Sequence, residues 1–368
     1  MMKLSARTVH TSRYPVLIGE GALDQFRKEL KQYRKQKSKL FILTDANTLR
    51  FCLPELLSFI PELEAATKLN IDGGEEMKSL RTAEYLWKEL VSQQADRNSL
   101  LINLGGGVVT DLGGYVASAF HRGIDTIHIP TSLISQIDAA IGSKTGVNVD
   151  MLKNQVGSFF APHGVFVWPG FLSTLPPEQV RSGLAEVAKT ALIRDEQFWR
   201  WLSRKRVKQI LEIPFTDSFW KDLLLKTIRI KLEIVRHDPF ERNIRKLLNF
   251  GHTIGHAIES LALRRETPVL HGEAVAAGMV CEGFLSVGQA GLDPHELDGV
   301  REWILDGFGK LPLLQEDESV RIDMMRHDKK NREQEIRFTL LSRIGQGRIN
   351  QVCAAEQISE AFGKYYTL

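Results

Sequence analysis

The chain has 368 residues, 43% hydrophobic and 25% charged, which suits one large or two ordinary globular domains and can bury a sizeable core. A formal net charge of +3, with no dense basic run interleaved with aromatics, argues against nucleic acid but leaves room for small anions held by local charge. No run approaches the ~18 apolar residues of a membrane span, the N-terminal segment has no apolar signal core, and Cys52, Cys281 and Cys353 are too scattered for metal pairs or a disulfide framework, so a cytoplasmic protein is expected.

In chain order, helical patterns over Gly21–Gln32 and Ser79–Ser92 alternate with apolar runs at Lys39–Leu43, Ser99–Leu104, Thr126–Ile129 and Val165–Trp168. The runs read as buried strands, and strand–helix alternation predicts a largely parallel sheet covered on both faces. Three prolines in Pro169–Pro177 mark a domain boundary. Beyond it the texture changes. Gln179–Arg194, Ser218–His237, Lys246–Leu263, Gly272–Gln289 and His295–Gly307 carry a helical period. Ile336–Leu341 and Arg348–Val352 read as a hairpin around Gly345 and Gly347, followed by a last helix. The expectation is an α/β domain over 1–176 and a mainly α-helical domain over 177–368.

Gly105, Gly106 and Gly107 follow a strand and open a helix that carries Asp111. Glycines there let backbone approach a pyrophosphate, whose charge suits the free N–H groups of a helix start. A tight turn with glycines for sterics alone is the competing reading, since the spacing is not the dinucleotide G-x-G-x-x-G. Asp45 and Asn47 follow an earlier strand end, where open α/β sheets bind ligands; capping of the next helix is the simpler role for Asp45.

In the helical half, His252 and His256 lie four apart on one helix face, with Gly251 and Gly255 leaving room for a ligand. His271 opens the next helix and Glu186 lies in an earlier one. Two histidines and a carboxylate with an open position suit a catalytic divalent ion, and spacing nominates His256 as readily as His252. Charged and amide groups also gather among glycines and apolar residues: Arg122, Asp138, Lys144, Asn148, Lys153, Asn154, Lys231, Arg245, Asn249 and the late Lys329–Lys330 pair. Cations of this kind recognise phosphate and carboxylate.

The segments GGGVVTD, HRGID, IPTSLISQIDAAIGSKTGVN, LKNQVGSF, SGLAEVAK, RKLLNFGHTIGHAIE, LHGEAVAAGM and DKK occur in the order found in the 3-dehydroquinate synthases, and the chain resembles that family from about Asp45 to Leu341. The resemblance implies a dinucleotide-binding α/β domain before the helical one. It implies an ion, Zn²⁺ or Co²⁺, on Glu186, His252 and His271, with His256 turned to the substrate. It implies NAD contacts from Asp45, Asn47, Glu75, Lys78, Gly106, Gly107, Asp111, Thr131, Ser132, Asp138, Lys144, Lys153 and Thr174. An anionic sugar phosphate would be held by Lys144, Asn154, Lys189, Lys231, Arg245, Asn249, His256 and Lys329. Arg122 would reach a neighbouring subunit's site in a homodimer. The implied reaction is that of a phosphorus–oxygen lyase. Ser132, Ser143 and Thr190 depart from the residues usual in the family. Cyclases of secondary metabolism acting on related sugar phosphates, and NAD- and metal-dependent polyol dehydrogenases, are the alternatives; a neutral polyol has no need of so many cations.

Overall fold

The computed structural model describes residues 6–11, 13–36, 38–149, 152–313, 317–326 and 335–368. The chain divides into two compact units. One runs to Pro176 and includes Pro214–Leu232; the other comprises Pro177–Ile213 and Glu233–Leu368.

The first unit contains β1 (Arg7–His10), β2 (Pro15–Ile18), α1 (Gly21–Gln36), β3 (Leu40–Asp45), α2 (Ala46–Phe51), α3 (Leu53–Phe59), β4 (Thr67–Ile71), α4 (Leu80–Ser92), β5 (Leu100–Gly105), α5 (Gly107–Ala119), β6 (Asp125–Pro130), β7 (Lys144–Val149), β8 (Leu152–Phe159) and β9 (Gly164–Val167). Seven strands form one sheet in the order β1-β2-β9-β6-β5-β3-β4. All neighbours are parallel except β1 and β2. The apolar runs are long because both faces are covered. Alternate residues serve opposite cores: Ile42, Ile102 and Ile127 pack with Phe26 and Leu56, whereas Phe41, Leu43 and Leu101 pack with Leu86 and Leu112. Parallel pairing brings the carboxyl ends of β3, β5 and β6 to one edge, with Gly105 in register with Pro130.

The second unit contains α6 (Pro177–Arg194), α7 (Glu196–Leu202), α8 (Val207–Leu211), the end of α9 (Ser218–His237), α10 (His252–Arg264), α11 (His271–Gln289), α12 (Pro294–Phe308), α13 (Glu318–Arg326), the antiparallel hairpin β10 (Ile336–Arg343) and β11 (Gln346–Cys353), and α14 (Ala355–Tyr366). The single helix expected over Lys246–Leu263 is two. A 3₁₀ segment, Ile244–Asn249, ends before Gly251, which adopts φ +78° and caps α10. A left-handed residue cannot continue a helix, so the break puts His252 at the first position of α10.

Glycine sets how closely the ligand-bearing helices approach. A Cβ on Gly278 of α11 would fall 2.1 Å from Gly251 O, and one on Gly272 would fall 2.0 Å from Ser182 O of α6. Both positions therefore put backbone against backbone. The hairpin β7–β8 was not anticipated. Among the described residues, no helix is long and apolar enough to cross a membrane.

Candidate active site

In the first unit, the three glycines after β5 do different things. A Cβ on Gly105 would strike the Val109 side chain at 2.5 Å, whereas on Gly106 or Gly107 it would meet nothing closer than 3.4 Å. Sterics within the chain demand only the first glycine. Gly106 caps α5 without a side-chain hydrogen bond, so the helix start is open to an anion. Thr131 N–H donates to Gly105 O at 3.0 Å, and Ser132 Oγ donates to Ser135 Oγ at 3.0 Å, which holds the turn after β6 beside the glycines. Asp111, further along α5, is 2.5 Å from the ammonium of buried Lys78. Burial pushes the Asp111 carboxyl above its ordinary range, and Lys78 opposes the shift.

Asp45 caps α2 by accepting from Thr48 N–H at 2.8 Å, the simpler role suggested by its position. Asn47 Nδ2 lies against Gly73. Glu75 Oε1 accepts from Asn148 Nδ2 at 2.9 Å, and Asn148 Oδ1 accepts from the backbone N–H of Asn154 at 2.9 Å. Lys144, Lys153 and Asn154 are exposed on the β7–β8 hairpin. Thr174 Oγ1 donates to Phe171 O at 2.8 Å. Lys231 belongs to the stretch of α9 that packs with this unit; its buried ammonium donates to the backbone O of Asp138 at 2.5 Å and to Oδ1 at 2.6 Å. Arg122 is exposed on a turn where His121, Arg122 and Gly123 have φ of 50°, 67° and 120°. Consecutive left-handed non-glycine residues are strained.

In the second unit, Glu186, His252 and His271 converge. His252 Nε2 and His271 Nε2 each lie 3.2 Å from Glu186 Oε1. Ligand atoms about 2.1 Å from a tetrahedral ion lie about 3.4 Å apart, so the spacing fits a two-nitrogen, one-oxygen site. The backs of the rings are supported as well. His252 Nδ1 is 3.1 Å from Phe250 O and His271 Nδ1 is 3.0 Å from Glu259 Oε2. Lys189 ion-pairs with Glu186 Oε2 at 2.5 Å, and the Thr190 hydroxyl donates to Glu186 O, one turn back in α6, at 2.8 Å.

Electrostatics separate the two imidazoles. Burial raises the Glu186 carboxyl, but Lys189 and His252 outweigh it and hold the group well below the carboxylate range. Burial keeps His252 below its ordinary value, against the pull of Glu186. Burial works the same way on His271, but Glu259 and Glu186 override it and lift the ring to about 10.

His256 lies one turn along α10, its ring centroid 5.2 Å from that of His252 and 6.1 Å from that of His271. Buried Arg245 donates through Nη1 to Pro239 O at 2.7 Å. Asn249 Nδ2 donates to Glu241 Oε1 at 3.2 Å. Lys329 lies outside the described residues. Sequence reasoning missed three carboxylates here: Glu241, Glu259 and Glu282. Glu282, with no exposure, accepts from Gly251 N–H at 2.6 Å and Ile254 N–H at 3.1 Å, anchoring the start of α10 by charge at a helix N-terminus. A lone carboxylate in the apolar stretch AAGMVCEGFLSVG was its available signal.

Residues 68–182 match the N-terminal domain of the 3-dehydroquinate synthase family, and residues 183–331 match its C-terminal domain. The chain belongs to the 3-dehydroquinate synthase family. A 3-dehydroquinate synthase of Parabacteroides distasonis is 42% identical over 328 residues, 89% of this chain and 91% of that one. Among solved structures, the 2-epi-5-epi-valiolone synthase of Streptomyces hygroscopicus, with NAD⁺ and Zn²⁺ bound, is 25% identical with a TM-score of 0.84 over 99% of each chain. A 2-deoxy-scyllo-inosose synthase, 23% identical over 98% of this chain and 99% of that one with a TM-score of 0.83, shares the fold. The fold class, a largely parallel α/β sheet followed by a mainly helical half, is the one expected from the sequence, but Pro214–Leu232, expected in the helical domain, belongs to the first unit; the family is one of lyases.

Proposed function

We propose that this chain converts 3-deoxy-D-arabino-heptulosonate 7-phosphate to 3-dehydroquinate and inorganic phosphate, by transient oxidation, phosphate elimination, reduction and intramolecular aldol closure, in the shikimate pathway. The observation that carries the reading is the convergence of Glu186, His252 and His271 in a chain of this family. NAD and a divalent ion, Zn²⁺ or Co²⁺, are the cofactors; the related valiolone synthase holds NAD⁺ and Zn²⁺. When bound, the nicotinamide supplies reversible hydride transfer and the ion acidifies the hydroxyl to be oxidised.

In this reading Glu186, His252 and His271 hold the ion, and 1–176 is the NAD-binding domain. Gly106, Gly107 and the uncapped start of α5 receive the pyrophosphate, and Asp45, Asn47, Glu75, Lys78, Asp111, Thr131, Ser132, Asp138, Lys144, Lys153 and Thr174 complete the contacts to NAD. Lys144, Asn154, Lys189, Lys231, Arg245, Asn249, His256 and Lys329 bind the carboxylate and phosphate. Lys189, Lys231 and Arg245 are buried, where a cation's pull on an anion exceeds its pull in water. A homodimer in which Arg122 reaches the other subunit's site belongs to the same proposal, supported by the strained turn that exposes it. So does a cytoplasmic location, supported by three unpaired thiols.

The test supplies the protein with the heptulosonate phosphate, the metal and catalytic NAD. Phosphate should appear without net NADH. Net NADH from a polyol, with no phosphate released from the sugar acid, would identify a dehydrogenase instead.

A further inference from the structure

One buried carboxylate beside the three converging donors has no place in the ligand set. Glu259 is 8% exposed, and its Oε2 lies 3.0 Å from His271 Nδ1. The opposite nitrogen of that ring, Nε2, lies 3.2 Å from Glu186 Oε1. A neutral imidazole that offers Nε2 to an ion carries its proton on Nδ1, so the group facing Nδ1 must be an acceptor. His252 follows the same plan with a neutral acceptor, Phe250 O. His271 has a carboxylate instead, which orients the ring and also makes Nε2 a stronger donor. The charge costs desolvation energy to bury, so it needs a partner such as this one. His252, His256 and Glu259 stand at i, i+4 and i+7 of α10, one face of one helix. That face thus supplies a metal ligand, a second imidazole and the support of a ligand from the next helix.

We propose that Glu259 is a positioning residue of the metal site, accepting the Nδ1 proton of His271 and holding its Nε2 toward the ion. This rests on the metal-site reading above. The competing arrangement is a second ion: donor atoms of His256, Glu259 and His271 also lie within 4.8 Å of one another. With the first ion in place, that would need His271 to bind metal through both nitrogens and lose both protons, whereas the hydrogen bond to Glu259 keeps one.

The experiment compares the full chain with Glu259→Gln and Glu259→Ala, using Co²⁺. Co²⁺ affinity is read by competition with a chelator, together with the number of ions per chain, the visible spectrum of the Co²⁺ protein and the melting temperature of the metal-free protein. Outer carboxylates of this kind are worth about 10–100-fold in affinity. We expect about a 10-fold loss for Gln and up to about 100-fold for Ala, a shifted Co²⁺ spectrum in Glu259→Gln, and one ion per chain throughout. The metal-free Gln variant should melt close to the parent, separating positioning from folding; if the Ala variant does not fold, the isosteric Gln variant carries the test. A parent that takes up one ion, with variants matching its affinity and spectrum, overturns this inference alone. So does a second ion that Glu259→Gln removes. A parent that takes up no Co²⁺ overturns the metal-site reading and this inference with it.

Discussion

Replacing Gly278 with alanine tests how the ligand-bearing helices are held. On an ordinary helix, Gly→Ala stabilises by about 1 kcal/mol. Here the added methyl would fall 2.1 Å from Gly251 O and 2.9 Å from Gly255 N. Non-bonded contacts are at ease near about 3.5 Å, so α10 and α11 must part by more than about 1 Å. Overpacking of this kind costs about 1–3 kcal/mol. The same displacement stretches the two bonds from Gly251 and Ile254 to Glu282, and hydrogen bonds to a charged group are worth about 1.5–3 kcal/mol each. A loss of about 3 kcal/mol or more follows, which lowers the melting temperature by about 4 °C or more, given an unfolding entropy of about 2.1 cal/mol/K per residue over 368 residues. His252 begins α10 and moves with it, so Co²⁺ affinity should fall at least 10-fold. Calorimetry of the metal-free protein and chelator competition read the two effects. Parent affinity with an unchanged or raised melting temperature would refute the close-packing argument, because the alanine would then be showing only its helix propensity.

Three further outcomes are expected. His271→Ala should abolish Co²⁺ and Zn²⁺ binding together with turnover, and retained metal at parent affinity, by elemental analysis and competition, would rule out the ligand set. Lys78→Met leaves the carboxylate of Asp111 without its cation and should cost about 3 kcal/mol, since breaking a buried pair costs about 3–5 and Asp111 is partly exposed; adding Asp111→Asn should recover much of the loss in urea titrations, and no recovery would mean that the ion pair is not the cause. Burial holds His128 down to about 4 from 6.5, so below pH 6.5 the unfolded chain takes up a proton that the folded chain refuses. Stability should fall by up to about 3 kcal/mol as the pH drops from 6.5 to 4, at about 1.4 kcal/mol per pH unit. In His128→Gln that part of the slope should vanish, and an unchanged slope would assign it to other groups.

The parallel sheet was legible because β3, β5, β6 and β9 are buried on both faces, and that requirement writes continuous apolar runs. Five strands escaped notice: β1, β7 and β8 carry polar sequences such as RTVH and KTGVNV, β2 has only four residues, PVLI, and in β4, TKLNI, Lys68 and Asn70 interrupt the apolar run; their pairing is set by tertiary contacts rather than by period. Within 246–263 the helical pattern runs unbroken through Gly251, because periodicity reports which residues are buried and not the sign of φ. At the candidate site, His252 and His256 looked equivalent from spacing. They differ because the break at Gly251 puts His252 on the first turn, its Nδ1 beside Phe250 O and its Nε2 toward Glu186. Glu259 and Glu282 stayed hidden because a carboxylate on a helix ordinarily faces solvent, and only the packing of α10 against α11 shows both of them inside.

The central claim is a reaction in which hydride is borrowed and returned while phosphate is lost. Its most direct test is a single time course with the heptulosonate phosphate in excess over enzyme and NAD, following inorganic phosphate and absorbance at the NADH band together. The account predicts many equivalents of phosphate per NAD with no accumulating NADH, and dehydroquinate as the carbon product. Phosphate release that is absent, or that stops after one equivalent of NAD has been consumed, would contradict it.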